Sequence, residues 1–311
     1  MTQLILVLLL LSQVPLSPFS FFQRSSSSRL GSAEKRAEDP HENNDSTLVE
    51  SGKSTKPRSH NRSLNEIKVV SYNIRWRSGD DLRQLIKFFL DDPEIGGATI
   101  LGLQEVDRRK KRSGQSNTVK VIADELGLQY AWAAPPNAKP GDEEETGVAI
   151  LSSYPLTEVR RIVLPNEGPD RRRRVALGAT VEVENQHWRV YSVHAETRIS
   201  MDKKLQQMSA VLQDLAQYPS HMPAIVMGDL NTWQSDAGPK TIKLFSEAGL
   251  QTPFGGQTTF SRRILFVPIK LKLDWVWLRG LEVVSFGIDR KIDVSDHWPL
   301  WTNVKLPSAK K

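Results

Sequence analysis

From residue 66 onward, short β-branched runs alternate with amphipathic stretches, which confines this part of the chain to helices layered on a buried sheet. Helical spacing covers 80–91, 118–126 with Gly127 as a stop, 200–217 with Ser200 as a cap, and 239–248 ending at Gly249. In the third of these, Met201, Leu205, Met208, Leu212 and Leu215 recur every three to four residues. Strand-like runs occupy 67–72, 98–103, 147–152, 158–164, 175–183, 188–193, 223–227, 273–278, 281–286 and 300–304. The expected class is therefore α/β or α+β, and no internal repeat of fixed period interrupts it.

The first 64 residues differ in kind. Residues 4–12 (LILVLLLLS) are almost wholly apolar, and Pro15 and Pro18 follow. That run is short of the ~20 residues a membrane-spanning helix needs, so 1–22 reads as a signal peptide or, failing that, an uncleaved anchor. Export to the periplasm or medium, or tethering at a membrane through 1–22, is the corresponding expectation. Residues 23–64 are rich in Ser, Asn, Pro and charge, with too little apolar area to offset ordering, and are expected to form a disordered linker. Residues 65–311 then form one catalytic domain, for which a monomer is the simplest expectation.

Composition narrows the chemistry. The 311 residues include no cysteine, which excludes disulfide scaffolds, thiolate metal sites, iron–sulfur clusters and cysteine nucleophiles. A net charge of +6 permits phosphate-rich partners without requiring them.

The strand-like runs end in polar residues. KVVSY leads to Asn73, TILGLQ to Glu105, RVYSV to His194, and AIVMG to Asp229 and Asn231; Asp274 lies within LKLDWVW, and KIDVS leads to Asp296 and His297. Layered α/β proteins bind ligands where strands end, because loops there gather side chains from distant parts of the sequence. The set consists of hard oxygen ligands and imidazoles, which suits Mg²⁺ or Mn²⁺ and phosphate chemistry. Taken singly, most are unremarkable: Asn73 could be a turn residue, Glu105 a loop start, His194 a satisfied edge histidine, and Asp229 with Asn231 an Asx-turn and helix cap. Asp274, between Leu273 and Trp275, is costly to bury unless paired. Their joint occurrence is what points to a site.

In seven blocks, SYNIRW (71–76), LGLQEVD (101–107), TGVAILSSYPL (146–156), VYSVHAET (190–197), MGDLNT (227–232), LDWVW (273–277) and SDHWPL (295–300), the chain resembles the endonuclease/exonuclease/phosphatase superfamily of metal-dependent phosphoester hydrolases. The resemblance implies a four-layer sandwich: two mixed β-sheets face to face, flanked by helices. It implies Glu105 as the main metal-binding carboxylate with Asn73 beside it, and Asp296 as a further metal- or phosphate-site carboxylate. Asp229 and Asn231 would hold the attacking water and a phosphate oxygen. His194 would lie near the non-bridging oxygens or leaving group, and Asp274 would orient His297. One or two Mg²⁺ or Mn²⁺ ions are implied, and the base is either Asp229 or His297.

Three basic clusters, Arg108 to Arg112, Arg171 to Arg174, and Arg262, Arg263, Lys270 and Lys272, are either solvated loops or a cationic rim around the cleft. Arg173 or Arg174 resembles a phosphate-contacting arginine of some family members, and Trp233 could stack on a base or pack in the core. The expected activity is a phosphodiesterase acting on nucleic acid. The alternatives are a sphingomyelinase-like or other lipid or headgroup phosphodiesterase or phosphatase acting on phospholipid at a membrane and, from another class, an inactive phosphate-binding module.

Overall fold

Periods of two in the strands and 3.6 in the helices sort the apolar side chains onto three parallel interfaces. The computed structural model describes residues 46–56, 66–136, 144–264 and 266–307. One sheet has seven strands: β1 (Val49–Lys53), β2 (Ile67–Asn73), β3 (Ile100–Arg108), β4 (Gln129–Ala133), β5 (Glu145–Ser152), β13 (Glu282–Ile288) and β14 (Leu300–Lys305), in the order β1-β4-β5-β3-β2-β14-β13. The other has five: β6 (Leu156–Leu164), β7 (Arg174–Val183), β8 (Gln186–His194), β9 (Ala224–Asp229) and β12 (Asp274–Arg279), in the order β12-β9-β8-β7-β6. Both are mixed, with β2–β3 and β8–β9 parallel and the other pairs antiparallel.

Helices α1 (Gly79–Asp91) and α2 (Thr118–Leu126) bury Leu85, Phe89, Val119 and Ile122 on the outer face of the large sheet. Helices α3 (Met201–Leu215) and α4 (Ala237–Glu247) bury Met208, Val211, Leu215 and Phe245 on the outer face of the small one, where Trp277 stacks on Phe245. Between the sheets, Val69, Ile100 and Ile150 meet Leu177, Ile225 and Met227. The order helix–sheet–sheet–helix is the four-layer sandwich that the family resemblance implied. Among the described residues, no helix is long and apolar enough to cross a membrane.

Three segments depart from expectation. Residues 46–56 belong to no linker: Leu48 is buried, and β1 pairs antiparallel with β4 from Val49↔Ala133 to Lys53↔Gln129. Polar bonds hold this edge strand, with Glu50 accepting from Asn117 Nδ2, Tyr130 Oη and Arg108 Nη1, so apolar content gave no sign of it. Strand β4 was likewise not anticipated, nor was the two-stranded ribbon of β10 (Phe260–Ile264) and β11 (Val267–Leu271). The leader at 1–22 and the rest of the 23–64 segment, apart from 46–56, lie outside the described residues.

Candidate active site

The polar residues that end the strands meet at one edge of the sandwich. On the small sheet, His194, Asp229 and Asp274 are lateral neighbours on β8, β9 and β12. On the large sheet, Asn73 ends β2 opposite Gln104 of β3. Asn73 Nδ2 crosses between the sheets, donating to Asp229 Oδ2 at 3.0 Å and to Glu105 Oε1 at 3.2 Å. Its Oδ1 accepts from the Arg75 N–H at 3.1 Å, so its carboxamide bridges the two carboxylates. Ser295 Oγ donates to the Asn73 carbonyl at 2.8 Å, tying in the loop that carries Asp296 and His297.

Backbone conformation contributes to the aim of these groups. Arg75, Trp76, Glu105 and Asn231 all have positive φ, between 47° and 55°, a region side chains other than glycine enter rarely and mostly at functional sites. Glu105 sits on a β-bulge, where the β3–β5 register jumps from Gln104↔Val148 to Val106↔Gly147. Asp229 follows Gly228, whose φ is 141° and where a Cβ would lie 2.0 Å from the Val193 carbonyl oxygen. Only glycine fits there, and its absence of side chain lets β9 close on β8.

Around Asp229 the distances are short and the burial nearly complete. His297 Nδ1 lies 3.0 and 2.9 Å from the two Asp274 oxygens, leaving Nε2 to face Asp229 Oδ2 at 3.7 Å. His194 Nε2 is also 3.7 Å from Asp229 Oδ2. The Asn231 N–H donates to Asp229 Oδ1 at 2.9 Å, and Asn231 Nδ2 to the Ala195 carbonyl at 2.9 Å. Burial alone would lower His297, but the Asp274 and Asp229 charges outweigh it and hold the ring at about 10. Burial pushes Asp229 up, His297 pulls it back and Asp274 adds to the rise, leaving it at about 7. Burial, with the charges of Arg174, His297 and Arg172, holds His194 well below the ordinary imidazole value.

Two sets of residues could hold a cation. Asp229, Asp274 and His297 bring ligand atoms within 4.8 Å of one another, all buried. Both Asp274 oxygens are engaged by His297 Nδ1, however, and a ring held at about 10 keeps the proton a metal would displace. Glu105 is better placed: its half-buried carboxylate, aimed by the bulge, meets the Asn73 amide that also binds Asp229. These hard oxygen donors, held on one amide, fit a divalent ion. Asp296 pairs with Arg75 Nη1 at 3.0 Å, so its charge is already opposed.

The arginines divide. Arg174 Nε binds Glu196 at 2.8 Å and its charge reaches His194, whereas Arg173 Nε turns to the Leu164 carbonyl. Of the 108–112 cluster, Arg108 is not at the rim: it is buried against Glu145, Glu50 and the Trp132 ring. Arg112 does reach outward, binding Asp107 and lying 4.4 Å from the Trp76 ring centre. Trp233 is half-buried, its Nε1 donating to the Thr197 carbonyl. Sequence reasoning missed Arg75, Glu196 and Lys204. Lys204 is fully buried on α3 and donates to the Asn231 carbonyl at 2.5 Å, with burial lowering its amine to about 7. A lysine on the apolar stripe of 200–217 was the available signal.

A model described as the Endonuclease/Exonuclease/phosphatase family matches residues 70–297. Two UPF0294 proteins of Vibrio vulnificus, strains YJ016 and CMCP6, are 33% identical over 105 residues, a stretch covering 34% of this chain and 34% of each of theirs. The structure of an endonuclease/exonuclease/phosphatase from Beutenbergia cavernae DSM 12333 superposes with TM-score 0.61 and 18% identity, covering 79% of this chain and 72% of that one. The human Nocturnin catalytic domain with bound sulfate gives 0.62 and 19%, over 82% and 100%. D. rerio TDP2 complexed with single-strand DNA product gives 0.60 and 16%, over 77% and 99%. At these identities the structural likeness is one of fold. The family match, which runs from β2 to His297 and so contains every candidate catalytic and metal residue above, shows that the chain belongs to the endonuclease/exonuclease/phosphatase family.

Proposed function

We propose that the protein is a divalent-cation-dependent phosphodiesterase that hydrolyses nucleic acid by attack of water on phosphorus. The observation that carries this reading is the convergence on Asp229 of Asn73, His194 and His297, with Glu105 on the same amide. A phosphodiester is anionic and repels a nucleophilic oxygen, so the site must oppose charge before it can deliver a proton acceptor.

His297 has the first task. Held at about 10, it is protonated at neutral pH, and its Nε2–H can meet negative charge building on the phosphoryl oxygens. It therefore cannot be the base in that state, and the task passes to Asp229, whose value of about 7 suits taking a proton from water. The Asn231 N–H and the Asn73 amide fix the Asp229 carboxylate in place. His194, kept neutral, can donate an N–H hydrogen bond to the leaving oxygen, which takes its proton from solvent water. Mg²⁺ or Mn²⁺ held by Glu105, when bound, would supply Lewis-acid stabilisation of the phosphoryl charge.

Nucleic acid as substrate is supported by the rim. The Trp76 ring has Arg75, Arg77 and Arg112 at 5.6, 5.4 and 4.4 Å from its centre, combining a stacking surface with guanidinium groups beside the site. One fold neighbour was solved with single-strand DNA product and another with sulfate, a tetrahedral anion. The test offers the full chain plasmid DNA, RNA, sphingomyelin vesicles and bis(p-nitrophenyl) phosphate, with Mg²⁺, with Mn²⁺ and with chelator. Cation-dependent cleavage of DNA or RNA is the expected result. Turnover of lipid alone would refute the nuclease reading, and no cation-dependent turnover of any substrate would refute the enzyme.

A further inference from the structure

We propose that the β10–β11 ribbon docks the active-site edge of the protein onto an anionic lipid surface. At its tip Phe266 is 94% exposed and Val267 62% exposed, and Pro268 beside them is exposed too. Hairpin tips are ordinarily built from glycine and small polar residues, so a large aromatic and a branched aliphatic side chain standing in water call for a partner.

Charge says which partner. Residues 260–272 contain Arg262, Arg263, Lys270 and Lys272 and no acidic residue. Arg263 lies opposite Pro268, and Lys270 opposite Ser261, with both basic side chains exposed. Lys270 is three residues from Val267, about 10 Å along an extended strand. An apolar tip with a cationic collar at that distance matches the depth at which interfacial elements enter the headgroup boundary, about 5–10 Å, and places the collar among lipid phosphates. A single-stranded nucleic acid would also answer the positive charge, but stacking uses an aromatic face alone. Val267 and Pro268 prolong the apolar tip without adding a face or a hydrogen-bond donor.

The ribbon is joined to the catalytic edge. Its two strands pair only with each other as a sheet. At its base the Ser261 N–H donates to the Asp296 carbonyl at 2.9 Å and the Trp298 N–H to the Thr259 carbonyl at 2.8 Å. The Phe260 ring meets the His297 ring edge-on, centroids 5.0 Å apart. Seating the tip would therefore set the height and orientation of the site over the surface, whatever phosphoester is cleaved there.

Flotation of the full chain tests this, using phosphatidylcholine vesicles with and without phosphatidylserine. The variants are Phe266→Ser with Val267→Ser, and Arg263→Ala with Lys270→Ala, each shown by thermal unfolding to retain the wild-type fold. The tip variant should partition about tenfold or more less strongly than wild type, and the charge variant should lose the preference for phosphatidylserine. The leader is common to all three proteins, so the differences belong to the ribbon. Failure of the wild type to float, or partitioning of the tip variant equal to wild type, overturns the proposal. Loss of oligonucleotide binding by the tip variant with flotation unchanged overturns it in favour of a nucleic-acid platform.

Discussion

Replacing Asp274 by Asn removes the charge that keeps His297 an imidazolium, and the consequences can be worked through. In the native site His297 is raised from 6.5 to about 10, a gap equivalent to about 5 kcal/mol favouring the protonated ring, taken as an upper value. Because the folded value is raised, this stabilisation is fully present below pH 6.5 and is lost as pH rises from 6.5 through about 10. Cation-free wild-type protein should therefore lose stability over that window, and Asp274→Asn should show a much flatter dependence. At pH 6 the variant should be about 3 kcal/mol less stable, because a buried ion pair has been broken, which in a domain of this size lowers the unfolding midpoint by about 6–12 °C. Above neutral pH its ring is uncharged, and loss of one preorganised donor to the phosphoryl oxygens should slow hydrolysis about 10²–10³-fold. The assays are calorimetry in chelator at pH 6 and 9, ¹⁵N titration of His297, and initial rates on a diester against pH. A variant whose His297 still titrates above pH 9, or which cleaves at the wild-type rate, would refute the reasoning.

Other perturbations separate the remaining roles. Asp229→Asn should cost about 10²–10⁴ in kcat, as loss of a general base does, while leaving the unfolding midpoint unchanged or higher, since a carboxylate raised by burial has been removed; a fall in stability with activity retained would contradict both parts. Glu105→Gln should fold normally in chelator yet lose the stabilisation that Mg²⁺ or Mn²⁺ gives the wild type, about 2.7 kcal/mol at a hundredfold excess over Kd, read by thermal shift. Gly228→Ala would place a methyl 2.0 Å from the Val193 oxygen, so denaturant titration should show a loss of about 3 kcal/mol or more with the β8–β9 contact strained.

Much of this architecture was legible because its signals are local. Helix α2 lies at 118–126 as its spacing indicated, with Asn117 accepting from the Lys120 N–H at one end and Gly127 in the left-handed region at the other. Asn73, His194, Asp229 and Asp274 were legible because each ends or opens a strand, and a strand end is recognisable without a partner. What depends on partners was hidden. The bulge at Glu105 is the clearest case: Leu101 and Leu103 face α1 and α2, and strict alternation would put residues 105 and 107 on that face too. The extra residue shifts the phase, so Val106 enters that core and Arg108 lies over Trp132. One irregularity both frees Glu105 for the site and takes Arg108 out of the basic rim. Strand β1 escaped notice for a related reason, since its hold on β4 is polar and cross-strand.

Charge balance bears on how the site would take up a cation. Asp229, Asp274, Asp296 and Glu105 gather about one edge, with His297 on Asp274 and Arg75 on Asp296 as the opposing charges. With Asp229 ionised, these four carboxylates outnumber the His297 and Arg75 charges paired with them in a largely buried setting, with Lys204 and Lys272 adding opposition to Asp229 and Asp274. Without a metal, burial and the Asp274 charge raise Asp229 to about 7, so that near neutrality the proposed base would be partly protonated. A divalent ion held beside Glu105 would balance the excess and lower the proton affinity of Asp229, because Asn73 holds the two carboxylates on one amide. On the proposed reading, cation binding and generation of the base would be a single equilibrium, and the acid limb of the rate profile should move to lower pH as the cation concentration rises. A limb that stays fixed while the rate climbs with cation would mean that cation binding is not coupled to the Asp229 proton.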